Sequence, residues 1–102
     1  MNIEKWTAKM QEAIQKAITM ASEKGHQVVD VEHFLLALLE DSAGILYRVL
    51  SRSNVDITSL QNKLLNRLQS KPVVSNVDIN SIRISYDLNQ LINLSDKQMH
   101  KF

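Results

Sequence analysis

Few side chains in this sequence are suited to catalysis or metal binding. His33 lies among apolar residues in the segment 29–39, where an imidazole can act as a general base or a metal ligand. It has no cysteine and no second histidine at helical metal spacing. A structural role is therefore expected, with His33 bonding backbone or cap groups near a helix start. His26 falls in the preceding loop, and His100 late in a helix. Glu40 and Asp41 offer two carboxylates, but neighbours on a chain turn point different ways and nothing nearby supplies a nucleophile, so they read as solvated loop charge. Gly25 and Gly44 are the only glycines, and no G-x-x-x-x-G-K-[ST] loop occurs. A phosphate cradle of that kind cannot be built, which excludes ATPase activity for this chain. No nucleophile, base and orienting group can be assembled, so a non-enzymatic domain with no cofactor and no metal is expected.

Composition narrows the remaining classes. The 102 residues suit one domain with one core, and 44% hydrophobic with 23% charged residues is the balance of a folding chain. A net charge of +1 sets up no long-range field for nucleic acid or anionic lipid. Lys63, Arg67, Lys71 and Arg83 form only a sparse basic strip, better read as a solvated face. The segment 1–6 runs directly into amphipathic sequence, and no span of about 20 apolar residues occurs, so neither secretion nor membrane insertion is expected. The lack of cysteine fits a reducing compartment, and a cytoplasmic location is expected.

With two glycines and one proline, helices should occupy most of the length. In 7–24, Met10, Ala13, Ile14, Ala17 and Ala21 recur at three to four residues along one helical face. Thr7 is read as its N-cap, Glu12 and Lys16 as a pair on the wet side, and Gly25 as its left-handed stop. Asp30 caps a second helix that is apolar around most of its circumference from Phe34 on, and such a helix belongs in the middle of a fold. In 43–52, Ile45, Leu46, Val49 and Leu50 are expected to face inward. Asp56 caps a fourth helix with the stripe Ile57, Leu60, Leu64, Leu65 and Leu68. The segment 69–83, with Pro72, reads as an irregular connector in which a short strand has room to form. Ser85 caps a fifth helix through Leu88, Leu91, Ile92, Leu94, Met99 and Phe102.

An offset of 78 positions lays Ser85 on Thr7, Leu88 on Met10, Leu91 on Ala13 and Ile92 on Ile14, which suggests an internal repeat. Met-Asn-Ile-Glu-Lys-Trp-Thr at the start, Gly25-His26, and Val-Asp-Val-Glu-His-Phe-Leu-Leu-Ala-Leu-Leu at 29–39 resemble the N-terminal domain of Clp-family AAA+ unfoldases, with its ClpB disaggregase branch the nearer. That resemblance implies an all-α bundle: a first four-helix Clp repeat over 1–68, a connector over 69–84, and the opening helix of a second repeat over 85–102, where the pattern stops early.

The resemblance also implies a task of binding rather than turnover. Such domains sit ahead of ATPase rings and help capture unfolded or aggregated polypeptide, so the leading expectation is a substrate-engaging domain of a disaggregase. The alternative is an adaptor-docking domain of a protease-coupled unfoldase. Carried over, the family's apolar groove falls on Ile92, Leu94, Gln98 and Met99, with Thr7 as a further contact. Gln98 departs from the family, which often places an apolar residue there. If the rest of a second repeat is lacking, the stripe from Leu88 to Met99 is left without cover, and self-association through the fifth helix is expected.

Overall fold

A computed structural model of the chain describes the backbone of residues 3–100 and the side chains of residues 8–94. Five helices carry the fold: α1 (Ile3–Glu23), α2 (Val31–Leu39), α3 (Ile45–Arg52), α4 (Ile57–Gln69) and α5 (Tyr86–His100). Two-residue strands β1 (Val28–Val29) and β2 (Arg83–Ile84) pair in parallel, Val28 opposite Arg83 and Val29 opposite Ile84. A 3-10 turn, Ile79–Ser81, precedes β2. The fold is all-α, and the connector after α4 does contain the short strand for which it had room.

The ends of these elements follow from local chemistry. Gly25 takes φ +78°, and the His26 amide donates to the Ala21 carbonyl while the Gly25 amide donates to that of Ser22, a Schellman closure of α1. A Cβ on Gly25 would lie 2.7 Å from both Val73 Cγ1 and the Val74 carbonyl oxygen, because the connector crosses here. Asp56 Oδ1 accepts the Ser59 amide at 3.1 Å, and Ser85 Oγ accepts the Leu88 amide at 3.0 Å, so both serve as N-caps. The Glu12–Lys16 pair also forms, at 3.7 Å.

Two expectations are corrected. α1 begins at Ile3, so Thr7 lies inside the helix and is not its N-cap; Ile3 to Trp6 continue the helix upstream. In α3, which starts at Ile45 with Gly44 as N-cap, Ile45 and Val49 are 57% and 53% exposed, and only Leu46 and Leu50 of the expected four reach the core. This two-turn helix packs on α2 and α4 from one side only, which leaves its other flank uncovered.

Two apolar clusters share α2. The first joins Ala13, Ala17 and Ala21 of α1 to Val29, Phe34, Ala37 and Leu88, with Met10, Ile14, Leu91 and Ile92 packed against it. Alanines at intervals of four leave α1 smooth on that side, which lets α2 approach closely. The second joins Leu36 and Leu39 to Leu64 and Leu68 of α4. The repeat-matched pairs Met10 and Leu88, Ala13 and Leu91, Ile14 and Ile92 all enter the first cluster, whereas the matched caps do not correspond.

Leu88 is fully enclosed, so Leu88→Ala should lower unfolding free energy by about 2–5 kcal/mol, measured by urea denaturation. A loss below about 1 kcal/mol would mean that α5 contributes little to the first core.

Candidate functional site

The polar centre of the molecule is built around Asp30. Its side chain caps α2, with Oδ1 accepting the Val31 amide at 2.8 Å, and the same oxygen accepts Ser85 Oγ at 2.8 Å. Oδ2 accepts Lys71 Nζ at 3.0 Å, and Lys71 lies 3.9 Å from Glu32 as well. One carboxylate thus joins the start of α2, the end of the α4 segment and the cap of α5. Burial raises the Asp30 pKa, but the Val31 amide, Lys71 and Ser85 outweigh it and hold the carboxyl below its ordinary range. Lys71 is thereby engaged in an internal ion pair and drops out of the basic strip.

His33 completes the capping box: its Nδ1 accepts the Asp30 amide at 2.9 Å, as expected of a histidine bonding cap groups. Its Nε2 lies 2.8 Å from Nδ1 of His26, with the rings edge to face at 5.0 Å. This pairing was not foreseen from the sequence. A backbone amide can only donate, so His33 Nδ1 is unprotonated, Nε2 carries the proton, and that proton is donated to His26 Nδ1. Both ring nitrogens of His33 and Nδ1 of His26 are thereby engaged in hydrogen bonds. Among the described residues no group of three or more His, Cys, Asp or Glu is placed to hold a metal. Burial first, then the neighbouring His26 and Lys71, push the His33 pKa down to about 4, and burial with Lys24 and Lys71 lowers that of His26.

The proposed binding positions on α5 divide. Ile92 is half-buried against the first core, with Leu91 beside it and Leu88 below. Leu94 is 57% exposed. The side chains of Gln98, Met99 and Thr7 lie outside the described residues, as does all of Phe102. Of the stripe expected to lack cover, Leu88 is buried by this chain and Leu91 and Ile92 are partly buried against the first core, while Leu94 is exposed. Glu40 and Asp41 occupy a loop in which Asp41 Oδ1 accepts the Ala43 amide and Oδ2 lies 3.8 Å from Lys9, so they do not form a catalytic pair. A shallow hollow of about 440 Å³ between α1, α2 and α4, floored by Met20, Leu36 and Leu65 and rimmed by Lys24 and Glu40, had no signal in the sequence because its residues come from three elements.

Residues 5–102 match the family described as Clp repeat (R) N-terminal domain. The chain belongs to that family. Chaperone protein ClpB of Bacillus cereus is 35% identical over 103 residues, and that of Vibrio cholerae 33% identical over 101. Both alignments take in 99% of this chain but 12% of the relative, so the chain spans about an eighth of the length of these chaperones. The solved N-terminal domain of the ClpV1 ATPase from E. coli EAEC Sci1 T6SS superposes with a TM-score of 0.72 at 26% identity, covering 82% of this chain and 50% of that one. This Clp domain therefore shares its fold with both ClpB and ClpV types.

Acid should weaken the domain. The unfolded chain protonates its histidines near the ordinary value of 6.5, while folded His33 resists until about 4, so protons favour the unfolded state across that window. Asp30, held low in the fold, adds a loss in the same direction further down. Unfolding free energy measured by urea should be roughly 2 kcal/mol smaller at pH 5 than at pH 7, and His33→Gln should reduce that difference by more than half. A flat profile between those pH values would refute neutral burial of His33.

Proposed function

We propose that this Clp domain is the substrate-engaging N-terminal module of a protein disaggregase chaperone, without catalysis of its own. In this reading it holds exposed apolar segments of unfolded or aggregated proteins for the ATPase rings of a parent unfoldase in the cytoplasm. The observation that carries the proposal is Leu94: a large apolar side chain, 57% exposed, on a helix whose inner face is anchored by a fully buried Leu88. Exposure of that size on a helix anchored at Leu88 gives up burial free energy that an apolar partner can recover. The similarity to ClpB chaperones along nearly the whole chain supports the same reading. Ile92, Gln98, Met99 and Thr7 are proposed to extend the surface around Leu94. Residues 1–68 are read as one repeat unit and the helix after the connector as the opening of another.

Binding should be weak, tolerant of sequence and nearly independent of salt, because apolar contacts are not screened. Leu94→Ser should leave the melting temperature within about 2 °C of the parent while weakening capture of a chemically denatured model protein roughly fivefold. Fluorescence anisotropy with the labelled, denatured protein reads this out. Unchanged affinity in Leu94→Ser would move the site elsewhere, and capture of a folded partner in place of the denatured one would favour the adaptor-docking alternative.

A further inference from the structure

The strand pair has an unfinished edge. The Arg83 amide donates to the Gln27 carbonyl and the Ser85 amide to that of Val29, so residues 83 and 85 turn their backbone groups towards β1. In a parallel ladder alternate residues face opposite sides, which directs the N–H and C=O of Ile84 away from β1, to the outer edge of β2. Among the described residues no backbone partner meets them there.

Side chains on the two faces of the pair are equally incomplete. Val29 and Ile84 form the inward row; Val29 is fully buried, but Ile84 remains 43% exposed because no third strand flanks it. Val28 and Arg83 form the outward row, and Arg83 takes part in none of the salt bridges found among the described residues. Short length and a charged residue are common protections of a strand edge, yet an uncovered isoleucine beside open backbone groups runs against simple protection.

We infer that the outer edge of β2 accepts an extended client segment as a third strand, with an apolar residue set beside Ile84 and an acidic neighbour set beside Arg83. The inward row would continue as Val29, Ile84 and the client's apolar side chain, and the outward row would end in a carboxylate facing the guanidinium. Backbone hydrogen bonds supply affinity without demanding a sequence, while the alternation of apolar and acidic residues supplies preference. The inference rests on the proposed role in client capture and assigns part of that capture to a second surface, apart from Leu94.

The test uses the full chain labelled with ¹⁵N and a short capped peptide alternating valine and glutamate. Its controls are a lysine-for-glutamate peptide and a glutamate peptide N-methylated at alternate amides. The glutamate peptide should shift the Ile84 and Arg83 amides and slow hydrogen exchange at Ile84, and N-methylation should abolish both effects. Affinity for the glutamate peptide should exceed that for the lysine peptide by roughly two- to fivefold, and Arg83→Glu should reverse the order. Ile84→Pro removes the outward N–H together with the isoleucine side chain but spares the ladder bonds, which belong to residues 83 and 85, and should lose the peptide. If that variant does not fold, the Arg83→Glu reversal decides alone.

Equal binding of the N-methylated peptide, or shifts confined to the residues around Leu94, would overturn the edge site while leaving client capture intact. Failure to bind any peptide or denatured protein would overturn both. Concentration-dependent shifts at Ile84 without peptide would assign the edge to a second copy of the chain and overturn the client as its occupant.

Discussion

The carboxylate of Asp30 joins three parts of the chain that are distant in sequence. It terminates the free amides at the start of α2, takes the hydroxyl that caps α5, and neutralises Lys71, which lies 41 residues away in sequence. A charge in this partly buried position is costly unless its lone pairs are filled, and here they are filled by one donor from each segment. The geometry is mutually enforcing: Ser85 can cap α5 and reach Asp30 only if β2 runs alongside β1, and β1 is what delivers Asp30 to the head of α2. Small parallel strands that would be negligible in isolation thus set the docking of α5.

Beneath that carboxylate the two histidines form a run of hydrogen bonds from the Asp30 amide through His33 to His26. Among the described residues every buried polar side-chain atom has a partner, so the centre carries no orphan that would point to a ligand. Asp30, His26 and His33 are engaged in structure, while the large apolar side chains that reach the surface include Leu94, Ile45 and Val49 on the flank of α3, and Ile84 at the strand edge.

Local patterns revealed most of this architecture. Asp30, Asp56, Ser85 and Gly25 announce helix ends through side-chain or backbone chemistry that operates within a few residues, and the stripes of α1, α2 and α4 repeat with helical period. Where Thr7 misled, a residue able to cap was also able to continue a helix already begun at Ile3. Where Ile45 and Val49 misled, period gave the stripe of α3 but not the number of neighbours available to cover it. The Asp30–Lys71 bond and the His26–His33 pair are contacts of the assembled fold, separated by 41 and 7 residues across turns, and no periodicity encodes them. Of the residues expected to bind clients, the exposure of Leu94 and the burial of its neighbours on α5 depended on how that helix settled against α1 and α2.

Helix α2 contributes Phe34 and Ala37 to one apolar cluster and Leu36 and Leu39 to the other, from a segment of only nine residues. Neither cluster can loosen without withdrawing a wall from its neighbour. The domain should therefore melt as one thermodynamic unit, with a calorimetric enthalpy equal to the van't Hoff value. Under mechanical load it would yield in a single step rather than shedding helices one by one.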